Sequence, residues 1–153
     1  MNGLLAINLL TAACFFSTVD RANAKAVAAY MAELAQDLQA QGYSRVTLFL
    51  DRNPTHLQAM QAEYEQLTAP LVLRMRFVHF APYSPALNLV EYGIHWLRQT
   101  YLHQADCGQS LLEVRERLEA SVGRGIFNTE QITNILVHIE RLIEDKQTAK
   151  LSP

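Results

Sequence analysis

Short apolar runs and helix-like repeats of apolar residues alternate along the first third of the chain. The runs at 4–9 and 12–19 have the length of strands and predict two short β-strands joined by a tight connection. From 25 to 41 apolar residues recur at spacings of three and four, which predicts a helix, and Gly42 is a residue type that commonly ends one. A β-rich run at 46–50 follows, of the kind that is buried in a parallel or mixed sheet. The predicted helical face carries Val27, Tyr30, Met31, Leu34 and Leu38.

The middle of the chain continues this alternation. Pro54 suits the first turn of a second helix. The segment 71–80 contains another strand, in which Arg74 and Arg76 alternate with apolar residues and indicate a solvated face or a sheet edge. Two prolines three residues apart make 81–85 a loop, because proline suits neither a helix interior nor a strand ladder. The apolar face of the second helix is formed by Leu57, Met60, Tyr64 and Leu67.

Three further helices are predicted after the loop. Apolar residues between 87 and 101 repeat at three and four. Capping boxes at 110–113 and 128–131 open two more helices, since each places a polar capping residue three positions before Glu or Gln. This order of elements predicts an α/β fold in which helices cover a sheet. We expect one domain over 1–145 and a frayed tail at 146–153.

Composition and charge restrict the function classes. Of 153 residues, 50% are hydrophobic and 18% are charged, which is ordinary for a globular protein and excludes wholesale disorder. The formal net charge is −2, whereas a free-standing DNA-binding domain usually has a basic balance. A function on DNA would therefore require the DNA-anchoring part to lie elsewhere in a longer protein.

The apolar N-terminus and the cysteines bear on cellular location. The run 3–16 precedes Ala22-Asn23-Ala24, which has the small residues of a cleavage site. A secretory signal requires a basic residue before its apolar run, and this sequence has none there. It is also shorter than the ~20 apolar residues that span a bilayer. Cys14 and Cys107 lie far apart without metal-ligand spacing and are interpreted as idle thiols. We therefore expect a cytoplasmic protein without a membrane segment.

Two carboxylates are the best candidates for chemistry. Asp51 directly follows the strand at 46–50, and the carboxyl ends of strands are where open α/β sheets place their ligand sites. Glu91 lies in the first turns of the helix after the proline loop, next to the apolar Val90 and Ile94. Together they would suit Mg²⁺, which prefers oxygen ligands and is often held by only one or two carboxylates. Acidic residues are also common as capping or solvated groups at such positions, so spacing alone does not decide between these interpretations.

Two sequence blocks resemble a known family. Residues 48–56, Leu-Phe-Leu-Asp-Arg-Asn-Pro-Thr-His, resemble the strand that carries the second acidic residue of DDE endonucleases in the bacterial insertion-sequence branch of the mariner-like superfamily. Residues 82–91, Pro-Tyr-Ser-Pro-Ala-Leu-Asn-Leu-Val-Glu, resemble the block that ends in the third acidic residue. The resemblance extends from the first strands to about His103. It implies a ribonuclease-H-like mixed sheet flanked by helices, with extra helices at the C-terminus.

The resemblance also implies roles for individual residues. Asp51 and Glu91 would be the catalytic metal ligands of an enzyme that cleaves and transfers DNA strands, with Mg²⁺ or Mn²⁺ as cofactor and two ions in the complete enzyme. Asn88 would shape the loop or touch DNA, and Arg98 would contact a phosphate.

Tyr83 and Ser84 are further expected DNA contacts in the same block. His56 falls where the family has a histidine, but it is interpreted as an ordinary residue of a helix start. The implied partners are the DNA of transposon ends and target, and a second copy in a homodimer.

The chain departs from the family pattern at several positions. Arg52 replaces the asparagine that usually follows the second acidic residue, and a cation there would disfavour metal binding. Leu89 replaces a proline, and Ile94 stands where the family has tryptophan. No Asp or Glu precedes Asp20, so we expect the first strand and first catalytic aspartate to be missing and the chain to be inactive alone, unless an upstream-encoded segment supplies them.

Two alternatives stay open at this point. One is a non-catalytic remnant or interaction module with the same fold. The other is a small secreted α/β protein that begins near Lys25, in which case the block ending at Glu91 would be a coincidence.

Overall fold

The computed structural model describes residues 2–80, 85–102, 110–123 and 125–151, and it confirms the α/β class. Small sheets are flanked by helices, an arrangement compatible with a ribonuclease-H-like fold. None of the helices in these ranges is long and apolar enough to cross a membrane. The strands are β1 (Asn2–Ile7), β2 (Cys14–Val19), β3 (Arg45–Leu50) and β4 (Arg74–His79). The helices are α1 (Ala24–Ala40), α2 (Gln58–Thr68), α3 (Leu89–Leu97), α4 (Leu111–Gly123) and α5 (Thr129–Leu151), with 3₁₀ turns at Pro54–His56 and Pro85–Leu87 and a π turn at Arg98–Leu102.

β1 and β2 form a two-stranded sheet whose connection is organised by Asn8. The Asn8 side-chain Oδ1 accepts hydrogen bonds from the backbone N–H groups of Leu10 at 2.9 Å and Thr11 at 3.2 Å. The Asn8 N–H donates to the carbonyl of Ala13 at 2.8 Å. Ala12 has a φ of 61°, a left-handed conformation that is uncommon outside glycine. An asparagine side chain therefore supplies the turn for which the sequence contains no glycine.

β3 and β4 form a parallel pair connected through α2. The register places Arg45 opposite Arg74 and Leu50 opposite His79, so both strands end at the same edge of the sheet. Parallel strands need a crossover connection, which α2 provides. Arg74 and Arg76 are exposed, as their alternation with apolar residues predicts.

Helix ends follow the capping signals in most places. Asn23 caps α1 by accepting a hydrogen bond from the Ala26 N–H at 3.0 Å, and Gly42 follows the helix with a φ of 94°. Pro54 does not open α2: it is the first residue of a separate 3₁₀ turn, and α2 begins only at Gln58.

Contacts divide the chain into two compact units. The first comprises Met1–Leu4 and Phe15–Asn88, and its core lies where α1 packs against α2. The second comprises Leu5–Cys14 and Leu89–Pro153. The expected single domain over 1–145 stays a prediction, as does the tail, whose first residues continue α5. Buried side chains of the first unit include Val27, Tyr30, Met31, Leu34, Met60 and Tyr64, and those of the second include Leu89, Leu97, Leu118, Val122, Ile126 and Ile132.

Gly93 allows close packing around α3 within the second unit. A Cβ atom at this position would lie 3.2 Å from Ile7 Cδ1, 3.4 Å from Leu5 Cδ2 and 3.6 Å from Phe127 Cε2. A Cβ would therefore press on Ile7 and would meet Leu5 and Phe127 at ordinary contact distance. This packing positions α3 and, with it, the first turn in which Glu91 lies.

The two predicted capping boxes are confirmed. Ser110 donates its backbone N–H to Glu113 Oε2 at 2.7 Å, and the Glu113 N–H donates to Ser110 Oγ at 3.3 Å. Asn128 donates its N–H to Gln131 Oε1 at 2.9 Å, and the Gln131 N–H donates to Asn128 Oδ1 at 2.8 Å. Each pair satisfies two backbone donors at a helix start that would otherwise lack partners.

The Glu113 carboxylate makes the start of α4 sensitive to acid. The Ser110 backbone N–H, and next its hydroxyl, hold the pKa of Glu113 below its ordinary value of 4.5. Because the folded-state pKa is depressed, the contribution of this group to stability is present above the unfolded-state pKa and is lost as the pH falls through the folded-state value. We expect Glu113→Gln, which keeps the acceptor but not the charge, to lose less stability than wild type between pH 6 and about pH 3. Thermal unfolding of both proteins across this range measures the difference, and parallel losses would contradict it.

Candidate active site

The common carboxyl edge of β3 and β4 brings the first candidate residue into position. Leu50, the last residue of β3, is buried, and its carbonyl accepts a hydrogen bond from the Phe80 N–H at 2.8 Å. Asp51 follows directly, so its carboxylate emerges where the ladder ends. This is the place in a parallel sheet at which strand ends present ligand-binding groups.

The two oxygens of Asp51 have different surroundings. Oδ1 accepts a hydrogen bond from the Asn53 backbone N–H at 3.1 Å and also contacts His56 Nδ1. Within the described part of the chain, Oδ2 has no hydrogen-bond partner. The Asp51 side chain is 43% exposed, so the carboxylate is accessible to solvent and to a ligand.

The turn after Asp51 explains why His56 reaches back to it. Asn53 caps the 3₁₀ turn, since its Oδ1 accepts from the Thr55 N–H at 3.1 Å and from the Thr55 hydroxyl at 2.9 Å. Pro54 occupies the first position of the turn, where its missing N–H costs nothing. His79, at the end of β4, places its Nε2 3.0 Å from the His56 carbonyl oxygen and donates to it in the Nε2–H tautomer.

Arg52 is directed toward β4. Its Nε–H donates to the Phe80 carbonyl at 3.1 Å, which ties the residue after Asp51 to the residue after β4. The described contacts of Arg52 include no ion pair with Asp51. The side chain therefore bridges the two strand ends.

The remaining predicted residues are distributed over the two units. Asn88 precedes α3 and is half-buried in the first unit, whereas the second unit contains Glu91, half-buried in the first turn of α3, and Arg98, exposed at the start of the π turn. Asp51 belongs to the first unit. Tyr83, Ser84 and Cys107 lie outside the described residues.

A family comparison covers the part of the chain that contains both acidic residues. Residues 1–111 match the family described as DDE superfamily endonuclease. The chain belongs to this family. No curated protein and no solved structure matches the chain. DDE superfamily endonucleases act on DNA and generally use divalent metal ions, so both DNA and a metal fit this member as partners.

The residues present in this DDE endonuclease have the donor chemistry that such a metal requires. Mg²⁺ and Mn²⁺ take hard oxygen ligands, and the open Oδ2 of Asp51 is one. No group of three or more His, Cys, Asp and Glu side chains within the described ranges is arranged to hold a metal ion. Individual carboxylates combined with substrate phosphate and water are nevertheless the usual way in which Mg²⁺ is held.

Cys14 has the properties of an idle thiol. It is a half-buried free cysteine in the DDE endonuclease, and burial raises the pKa of its thiol above the ordinary value of 9.0, against a smaller opposite effect of a backbone hydrogen bond from Ile126. A thiol with a raised pKa carries little thiolate at neutral pH and is a poor nucleophile.

The contact between His56 and Asp51 is the feature of this site that sequence reasoning missed. The interpretation of His56 as an ordinary residue of a helix start leaves out this contact, because five residues of separation give no indication of a turn that folds back. The Asn53-Pro54 pair is the signal that would have predicted it, since asparagine followed by proline favours turn initiation.

Proposed function

We propose that this chain is the catalytic part of a transposase in the bacterial insertion-sequence branch of the mariner-like DDE endonucleases. The observation that carries the proposal is Asp51, whose Oδ2 is open at the carboxyl edge of the parallel strands. Membership of the DDE superfamily endonucleases supports a nuclease that acts on DNA. The proposed reaction cleaves a phosphodiester bond with water and then joins the resulting 3′-hydroxyl to target DNA.

In this proposal Asp51 and Glu91 are the catalytic residues because they bind the divalent metal ions, Mg²⁺ or Mn²⁺. When bound, two such ions supply positive charge that stabilises the attacking and leaving oxygens of an in-line displacement. Asp51 contributes the oxygen Oδ2, while its Oδ1 is held by the protein. Glu91 contributes a carboxylate from the first turn of α3.

The proposed DNA contacts lie on both sides of Glu91. Arg98 is exposed, and its guanidinium suits a phosphate, which it can bind through two parallel hydrogen bonds. The other proposed contacts are Tyr83 and Ser84, in the loop predicted from the sequence at 81–85, and Asn88, which precedes α3. The proposed assembly is a homodimer on paired transposon ends.

Cation binding by the purified chain tests the proposal. We expect saturable Mn²⁺ binding in calorimetry, and we expect Asp51→Asn and Glu91→Gln each to weaken it by at least about tenfold, since each removes a ligand charge and keeps the side-chain size. Glu33→Gln, an exposed carboxylate on α1, is the matched control and should bind like wild type. A folded wild-type chain without saturable binding would contradict the proposal, and so would equal binding in all four proteins.

A further inference from the structure

His56 lies against the carboxylate that is proposed to bind the cation, and its Nδ1 contacts Asp51 Oδ1. We infer that His56 is a positioning residue: by donating its Nδ1–H to Oδ1, it orients the Asp51 carboxylate so that Oδ2 alone faces the cation. The inference rests on the proposed function and extends it, because it assigns a role to a residue that touches neither the cation nor DNA.

The first step of the argument concerns the lone pairs of the carboxylate. Each carboxylate oxygen has two acceptor positions. At Oδ1 the Asn53 N–H occupies one at 3.1 Å and His56 Nδ1 lies at the other. A cation is therefore left with Oδ2, and a one-oxygen contact of this kind suits the octahedral geometry that Mg²⁺ demands.

The second step concerns the rigidity of His56 itself. Its side chain is only 19% exposed, compared with 43% for Asp51, so the imidazole is the better fixed of the two groups. Its backbone is held by the 3₁₀ turn that Asn53 caps and by His79, whose Nε2 lies 3.0 Å from the His56 carbonyl oxygen. A donor held in this way restricts rotation of the Asp51 carboxylate. The Asp51 side chain therefore has less conformational entropy to lose when it binds a cation.

The third step separates positioning from direct ligation. The His56 nitrogen nearest to Asp51 is engaged by the carboxylate, and Mg²⁺ prefers oxygen to imidazole nitrogen. Groups that hydrogen-bond to a metal ligand commonly change metal affinity 10–100-fold when they are removed. His56 is expected to act on cation affinity through Asp51 in this manner.

Three substitutions isolate the Nδ1 donor. His56→Ala removes the ring. His56→Asn and His56→Gln both replace it with a carboxamide, but only asparagine places its amide nitrogen at the position of Nδ1, whereas glutamine places it one bond farther out. In Mn²⁺ calorimetry at constant pH we expect His56→Asn to bind within about threefold of wild type, and His56→Ala and His56→Gln to bind at least about tenfold more weakly.

The pattern of affinities decides the inference. Unchanged Mn²⁺ affinity in His56→Ala would overturn it. Equal losses of Mn²⁺ affinity in His56→Asn and His56→Gln would also overturn it, because packing of the ring, and not the Nδ1 donor, would then explain the loss. Circular dichroism of each variant confirms that a change in affinity does not come from unfolding.

A second readout keeps this inference separate from the proposed function. If wild type binds no Mn²⁺, the proposed function fails, and the ring ¹⁵N shifts of His56 at about pH 8, where histidine is normally neutral, decide the inference instead. A protonated Nδ1 in wild type that is lost in Asp51→Ala, which removes the acceptor, supports positioning by His56. A protonated Nε2 with an unprotonated Nδ1 in wild type overturns it.

Discussion

Replacing Met60 with alanine is expected to lower the free energy of unfolding by about 2–5 kcal/mol. Met60 is fully buried on α2, one turn before the buried Tyr64, in the region where α2 packs against α1. Alanine removes three heavy atoms from this site, so stability falls through lost transfer free energy and through the cavity that remains. Urea unfolding followed by circular dichroism measures the change.

Leu67→Ala on the same helix is the matched control. Leu67 is nearly half exposed, so its truncation removes little buried surface and should cost well under about 2 kcal/mol. A similar decrease in the free energy of unfolding in Met60→Ala and Leu67→Ala would contradict the prediction, because burial would then not explain the effect at Met60.

Replacing Ile132 with alanine is expected to have a similarly large effect, about 2–5 kcal/mol, in the other unit. Ile132 is fully buried in the first turn of α5, which contacts α3. A β-branched side chain at this position has little rotamer entropy to regain on unfolding, so most of the lost burial energy appears as lost stability. Val137→Ala, on a partly exposed face of α5, is the control and should cost much less.

The two core variants together test the domain organisation. If 1–145 fold as one cooperative domain, both variants lower the midpoint of the same single transition. If the two units unfold separately, Met60→Ala shifts one transition and Ile132→Ala shifts another. Additive losses in the double variant would support independent sites, since distant substitutions usually add.

The two acidic residues of the candidate site were proposed from local sequence, and their role stays a proposal. Asp51 follows an apolar run of strand length, and Glu91 lies at the start of an amphipathic helix, after a segment with two prolines in the sequence. Their chemistry was predicted from the resemblance of the surrounding motifs, and the match of residues 1–111 confirms the DDE endonuclease superfamily. The finer assignment to the mariner-like branch stays a proposal.

The environment of Asp51 was not predictable in the same way. The path of the chain between Asp51 and His56 decides which carboxylate oxygen is hydrogen-bonded within the protein. The strand register also contributes, because it brings His79 near the His56 carbonyl. Arg52 gives a further example: its charge is plain in the sequence, but only the structure shows its Nε–H bonded to the Phe80 carbonyl. Contacts between side chains are set by geometry that periodicity does not encode.

The sequence by itself determined the α/β class, the order of the main helices and strands and both capping boxes, because apolar periodicity and capping chemistry act over a few neighbouring residues. It did not determine the start of α2, which begins at Gln58 and not at Pro54. The tertiary structure decided the parallel register of β3 with β4, the turn at Asn8 and the fold-back of His56 onto Asp51. The register pairs two strands that are separated in the sequence by α2, so no local pattern specifies it. The two turns use the local chemistry of Asn8 and Asn53, but the contacts made across them follow from the path of the folded chain.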